Sequence, residues 1–441
     1  VSTSETICAL ASSSGNASVA IIRISGPKSL SIAQLITKTS LKPRYAHFTS
    51  FYDENDQAID QGISIYFKAP HSFTGEDVVE LQPHGNPYVC QQILQQATQQ
   101  GARLAIAGEF SERAFLNGKL DLTQLEAIAD LISSGSQQAA RSAVQSMQGK
   151  FSEQVNILLQ QLIQIRTHIE ASLDFADEDI ETETRRAVTK KVVQLKQQIN
   201  ELSKLAKHGA QLQKGYTVVL TGSPNVGKSS LFNALCGEDR AIVTDIPGTT
   251  RDVVSADLNI NGVPIRLLDT AGIRDHAELI EREGIARAQF ALEGADVVIK
   301  MFDASRLNSN NEFTNDSDNL LTVVNKCDLV DGHINFSKSV VKISVKTGEG
   351  LDILRKELQR VLHIQPSERQ APFSARTRHL EALQRCLKQV ELAEQQLNES
   401  SPLELAAEEC RLAQQILSEI TGEFTPDDLL DYVFREFCIG K

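Results

Sequence analysis

Residues 222–229 read Gly-Ser-Pro-Asn-Val-Gly-Lys-Ser, the spacing G-x-x-x-x-G-K-S. Gly222 and Gly227 let backbone N–H groups turn inward on an anion. Lys228 brings a point charge to β- and γ-phosphates, and the Ser229 hydroxyl is a hard ligand for Mg²⁺. Asn225, Val226 and Ser230 complete this part of the nucleotide-contacting set. Average composition produces the spacing by chance in roughly 2 of 100 chains of this length. Three further elements follow it in order. Asp269-Thr270-Ala271-Gly272 ends an apolar run, placing a carboxylate where it can hold Mg²⁺ through water and a glycine N–H near a γ-phosphate. Asn325-Lys326-Cys327-Asp328 ends another. The Asp328 carboxylate can accept from guanine N1–H and N2–H₂, donors that adenine lacks on that edge. Ser344-Val345-Lys346 then offers a backbone N–H to the guanine carbonyl. Four such elements in order predict a guanine-nucleotide site and a GTP-hydrolysing enzyme.

Phosphoryl transfer needs positioning and charge compensation more than covalent chemistry. The position after Asp269-Thr270-Ala271-Gly272, where many small GTPases carry a water-orienting Gln, holds Ile273. The loop Thr244-Asp245-Ile246-Pro247-Gly248-Thr249-Thr250-Arg251-Asp252 is the first candidate for the missing functions. Thr250 can join Ser229 on Mg²⁺. Asn225, with oxygens of Thr244, Ile246 and Thr249, can cage a monovalent cation. Arg251 or Arg274 acting as a finger in cis is the rival.

The elements that must position these residues are legible in outline. Thr217–Thr221, Val263–Leu268, Leu321–Val324 and Val341–Ile343 are apolar runs that each feed a motif. Residues 1–118 mix strand candidates (Val19–Ile24, Ile63–Phe67, Val78–Leu81) with helices over Ser29–Ile36 and Tyr88–Thr98, an α+β pattern. After Gly118 long amphipathic helices take over. Thr123 with Glu126 is expected to form a capping box. Val155, Leu158, Leu159, Leu162, Ile169 and Leu173 keep a 3.6-residue period. The acidic run Asp174–Glu183 is expected to be a solvated linker or helix end. Val188–Leu205 is another helix, Gly209–Gly215 a link to the GTPase segment, and helices resume over Thr377–Leu397, Leu403–Ile420 and Pro426–Phe437. Helices on both sides of an α/β segment suggest an insertion: residues 119–210 and 371–441 are expected to form a discontinuous all-α domain around a Ras-like P-loop GTPase domain at 211–370, with two independent bundles as the alternative.

Composition bounds the partners. The chain has 441 residues, formal charge −13, 41% hydrophobic residues, 5% aromatics and no Trp. That argues against a protein gripping nucleic acid unaided over a broad basic face or on stacking platforms. Seven scattered cysteines without C-x-x-C predict a reducing, cytoplasmic setting with neither a disulfide frame nor zinc. No secretory signal and no membrane span of about 20 apolar residues is evident. Cys438 lies fourth from the end, but Gly440 and Lys441 fit a prenylation box poorly.

The phosphate loop, Gly248-Thr249-Thr250-Arg251-Asp252, Asn117-Gly118-Lys119-Leu120-Asp121-Leu122-Thr123-Gln124, Gly108-Glu109-Phe110-Ser111, Pro83-His84-Gly85 and the closing Cys438-Ile439-Gly440-Lys441 together resemble the MnmE (TrmE) family of tRNA-modification GTPases, within the TrmE-Era-EngA-like group. Val345 stands where family GTPases usually carry Ala, and Ser12–Ala17 has fewer Gly and Pro than usual. The resemblance implies potassium in the cation cage and Glu281 as water-orienter. It implies an N-terminal tetrahydrofolate-binding-like domain that makes a homodimer. Arg23, Glu80, Lys119 and Lys441 would surround a one-carbon tetrahydrofolate (5-formyl or 5,10-methylene), with Cys438 near it. The catalytic set is then Glu281, Lys228 and Cys438. The implied partners are tRNA and a flavin-dependent protein of the MnmG (GidA) type, with no membrane. The implied product is a carboxymethylaminomethyl, aminomethyl-type group on C5 of the wobble uridine. A ribosome-assembly GTPase switch without RNA chemistry is the alternative, and a dynamin-like membrane GTPase a third reading that the acidic run Asp174–Glu183 disfavours.

Overall fold

The chain folds into two units, one comprising Val1–Ala129, Val155–Ala176 and Ser401–Lys441, the other Asp130–Gln154 and Asp177–Ser400. The computed structural model describes residues 5–13, 15–174, 178–238, 254–260, 262–269, 294–307, 319–330, 340–362, 372–398, 401–423, 433 and 440.

In the first unit a six-stranded sheet has the order β3-β4-β5-β2-β1-β6, with β1 (Ile7–Leu10), β2 (Ile22–Ser25), β3 (His47–Tyr52), β4 (Ala58–Phe67), β5 (Val78–Gln82) and β6 (Arg103–Leu104). Only the β1–β6 pair is parallel. Helices α1 (Ser29–Thr37) and α2 (Pro87–Gln99) cover one face, and Ile22, Ile24, Ile32, Ile36, Val79, Leu81 and Ile93 form the core between them. α2 starts where Asn86 accepts from the Tyr88 and Val89 N–H groups and Pro87 supplies the first-turn φ. α3 (Glu109–Leu116) follows. The strand expected at Val19–Ile24 begins three residues later, and Val19 is exposed, because the Cys8–Ile24 pairing sets the register from the partner strand.

α4 (Leu122–Ser133) and α6 (Lys150–Asp174) contribute residues to both units, and α5 (Gln137–Met147) lies between them. The capping box before α4 is Asp121 with Gln124, not Thr123 with Glu126. Asp121 Oδ1 accepts from the Gln124 N–H, and Gln124 Oε1 accepts from the Asp121 N–H. Asp121 prevails because the helix begins at Leu122, which puts Thr123 already inside its first turn.

In the second unit α7 is one helix over Glu178–Lys214. It absorbs the end of the acidic run and most of the expected link at Gly209–Gly215. Gly209 reads as a linker residue but serves close packing: a Cβ there would lie 2.3 Å from the Phe373 carbonyl oxygen. α10 (Thr377–Asn398) packs along α7, with Lys196 paired to Glu394 and the Arg185 guanidinium donating to the Leu397 carbonyl at the helix end. In the first unit α6 and α11 (Leu403–Thr421) meet through Arg166 and Gln414 at 2.8 Å. Helices on either side of the α/β segment therefore pack on one another, and the all-α domain is discontinuous.

The inserted sheet has the order β12-β11-β10-β7-β9-β8, from β7 (Tyr216–Gly222), β8 (Val254–Ile260), β9 (Val263–Asp269), β10 (Val297–Asp303), β11 (Leu320–Asn325) and β12 (Val340–Lys342). All neighbours are parallel except β8 and β9. α8 (Lys228–Glu238) follows β7, and α9 (Leu351–Val361) follows β12. Among the described residues no helix is long and apolar enough to cross a membrane, and no cluster has a metal-ligand constellation of His, Cys, Asp and Glu. Among the described residues, six cysteines form no disulfide.

Candidate functional site

Four strands of the second unit end at one edge of its sheet, with Gly222 closing β7, Asp269 β9, Asp303 β10 and Asn325 β11. The register sets Asp269 beside Leu220, Gly222 beside Met301 and Asn325 beside Asp303. The carboxyl edge of an open parallel sheet is where such folds bind ligands.

The phosphate loop takes a shape that only its own sequence permits. Gly222 and Gly227 have φ of +150° and +102°. A Cβ on Gly222 would meet the Met301 carbonyl oxygen at 2.6 Å, and one on Gly227 the Asn325 Nδ2 at 2.3 Å. Asn225 between them is left-handed, at φ 64°. Lys228 opens α8, and its ammonium donates to the carbonyls of Gly222 (3.0 Å) and Ser223 (3.1 Å). It thus lies across the mouth of the loop, where an incoming phosphate competes for it. Ser229 Oγ donates to Asp269 Oδ2 at 3.1 Å. A hydroxyl and a carboxylate so close are hard oxygen ligands of the kind Mg²⁺ takes. Ser230 is exposed beside them.

The base-side motifs are tied to the same loop. Asn325 is buried, donating through Nδ2 to the Val226 carbonyl at 2.9 Å and accepting at Oδ1 from the Val345 N–H at 3.1 Å. Lys326, at φ 63°, donates to the Asn225 carbonyl at 2.8 Å. Ser344 Oγ donates to Asp328 Oδ1 at 2.7 Å. That contact orients the Asp328 carboxylate, which is exposed and free to meet a base edge; Lys346 is exposed too.

Motif reading passes over Asp303. Its Oδ2 accepts from Lys326 Nζ at 2.6 Å, and its Oδ1 from the Ser305 N–H (3.0 Å) and hydroxyl (2.7 Å). Burial opposes ionisation here, but the hydrogen bonds from Lys326 and Ser305 prevail and hold the carboxyl below the usual aspartate range. The signal was an acidic residue closing the apolar run Val297–Asp303.

Thr244, Asp245, Ile246, Pro247, Gly248, Thr249, Thr250, Arg251, Thr270, Ala271, Gly272, Ile273, Arg274 and Glu281 lie outside the described residues, as do Cys438 and Lys441.

In the first unit Arg23 and Glu80 are cross-strand neighbours on β2 and β5, joined at 2.9 and 3.1 Å. The Arg23 guanidinium stands over the rings of Phe73 (5.2 Å) and Phe110 (5.7 Å), and it donates to the Gly440 carbonyl at 3.4 Å. Lys119 reaches instead to the Pro70 carbonyl, at 2.9 Å.

Residues 6–119 match the family model described as GTP-binding protein TrmE N-terminus, and residues 122–438 the one described as MnmE helical domain. The chain belongs to the MnmE (TrmE) family. It is 46% identical over 455 residues to the tRNA modification GTPase MnmE of Hydrogenovibrio crunogenus, covering 100% of this chain and 99% of that protein. It is 45% identical to the MnmE of Coxiella burnetii strain Dugway (99% of each). It is 46% identical to that of Xylella fastidiosa (99% of this chain, 98% of that one). As a member of the MnmE family the chain is a GTPase, with the inserted α/β fold and strand-edge motifs of such an enzyme.

Proposed function

We propose that this chain hydrolyses GTP to drive tRNA modification. With a flavin-dependent partner of the MnmG (GidA) type, it adds a carboxymethylaminomethyl group to C5 of the wobble uridine. The strongest support is the meeting of Gly222, Asp269 and Asn325 at one sheet edge, in a chain 46% identical over its whole length to a tRNA modification GTPase.

In this reading the phosphate loop and Lys228 grip the β- and γ-phosphates. Ser229 and Thr250 ligate Mg²⁺, with Asp269 acting through water. Asn225 with Thr244, Ile246 and Thr249 cages K⁺, and Glu281 orients the attacking water. Asp328 reads guanine, and Val345 meets its carbonyl. The cations supply positive charge against that developing on the transferred phosphoryl group.

Arg23, Glu80, Lys119 and Lys441 bind a one-carbon tetrahydrofolate in a cytoplasmic homodimer. The residues present suit that ligand: the half-buried Phe73 ring beside Arg23 offers flat apolar surface, and the Glu80 carboxylate can accept from a pterin amino edge. The folate supplies the carbon unit, and Cys438 lies close to it.

The decisive experiment is nucleoside mass spectrometry of tRNA from cells lacking the gene. Loss of the C5-aminomethyl-type uridine, restored by the intact gene, is expected. An unchanged profile would discard the modification reading and direct attention to ribosomal particles. Locking the GTP state is expected to slow modification; an unchanged rate would refute the coupling.

A further inference from the structure

Nucleotide sites of this shape need the phosphate loop held against the base-side motifs before ligand arrives. Asn325 makes one tie. The second runs through Lys326, whose single ammonium bridges the Asn225 carbonyl at 2.8 Å and Asp303 Oδ2 at 2.6 Å. Asp303 is 9% exposed and Lys326 about a third, so the pair is only partly screened. The other carboxylate oxygen accepts from the Ser305 N–H and hydroxyl, and Asp303 thereby caps the short 3-10 turn over Ala304–Arg306. The carboxylate is thus anchored on one oxygen and offers the other to the lysine. Asn225 sits in a left-handed conformation, which asparagine adopts more readily than most residues, and the Lys326 ammonium holds its carbonyl in that turn.

We propose that Asp303 is a positioning residue for nucleotide binding. It aims Lys326 at the Asn225 carbonyl and so keeps the phosphate loop in its ligand-ready shape. The proposal rests on the GTPase reading of this site. Asp303 works on the loop that holds both GDP and GTP, so its loss weakens the two alike.

The test is Asp303→Asn in the full-length protein, an isosteric change that keeps an oxygen for Ser305 to donate to. Dissociation constants for fluorescent GDP and a non-hydrolysable GTP analogue are expected to rise together by about ten-fold, the scale of one charge-assisted hydrogen bond. KM for GTP, measured at saturating K⁺, should rise likewise. Ser305→Ala keeps both the Asp303–Lys326 contact and the residue-305 backbone N–H on Asp303 Oδ1, losing only the hydroxyl bond, so it should cost less affinity than Asp303→Asn. In a Lys326→Met background, Asp303→Asn should add no further loss. Unchanged affinity in Asp303→Asn, a fall in kcat without a rise in KM, an equal loss in Ser305→Ala or full additivity with Lys326→Met would each overturn the proposal. If Asp303→Asn fails to fold, Asp303→Glu decides: retained affinity supports a charge-positioning role, and a ten-fold loss overturns it. Failure of the wild-type protein to bind GDP would instead remove the GTPase reading itself.

Discussion

Gly227→Ala is the sharpest perturbation the structure offers. Gly227 has φ +102°, which costs an L-residue about 1–2 kcal/mol. The new methyl would also lie 2.3 Å from Asn325 Nδ2. Asn325 is buried and cannot swing away without dropping its bond to the Val226 carbonyl and disturbing the one from Val345. Each buried group left unmade costs about 1–3 kcal/mol. With one bond lost the sum is about 2–5 kcal/mol, at or below the low end of a domain's usual stability of about 5–15 kcal/mol, so the fold is expected to survive. If the free loop relaxes, the strain reappears on binding, and about 3 kcal/mol corresponds to a hundred-fold weaker Kd. If it does not relax, the loss appears in thermal unfolding. Equilibrium titration with fluorescent GDP, run beside a thermal melt, captures both. Gly237→Ala, near the far end of α8, the helix that follows the loop, meets nothing within 4 Å and is the control. It should leave binding unchanged and add about 0.5–1 kcal/mol of stability. A Gly227→Ala protein with both wild-type affinity and wild-type melting would refute the reasoning.

Asp328→Asn should exchange the preference for guanine for one for xanthine nucleotides, read by competition binding, because an amide can donate where the carboxylate accepts. Glu281→Ala is expected to cut GTP turnover and spare GTP binding; unchanged turnover removes it from the mechanism. Arg376→Ala breaks the contacts to Asp130 at 2.8 and 3.1 Å, which join the helical segments before and after the GTPase insertion. Urea unfolding should show a loss of about 1–3 kcal/mol, since Asp130 is buried and Arg376 partly solvated. Glu109 is a pH-dependent case. Burial opposes its charge, but hydrogen bonds from Arg103, the Ile106 N–H and Arg113 hold its carboxyl below the ordinary value of 4.5. A depressed folded-state value means its stabilisation is complete above the ordinary value and is lost as pH falls through the folded one. The destabilisation by Glu109→Gln, measured by denaturant melts, should therefore be greatest near neutrality and shrink in acid.

What the sequence determined by itself was whatever depends on neighbouring residues. Gly222, Gly227 and Lys228 announce a phosphate loop, since backbone freedom and charge at fixed offsets are local properties. The apolar runs announce the strands that carry it, and the long 3.6-residue periods announce helices on both sides of the insertion. Boundaries failed where a tertiary partner intervened. β2 begins after Val19 because β1 sets its pairing, and the glycine at 209, inside α7, makes room for the Phe373 backbone instead of marking a link. Only the tertiary structure decided which residues meet. Asn325 reaches Val226 across 99 positions, and Arg23 pairs with Glu80 across 57. Asp303, carrying no motif, becomes Lys326's anchor because β10 and β11 are adjacent in the sheet. Strand order is a non-local choice made by burial of whole faces, so the partners it creates leave no spacing in the chain.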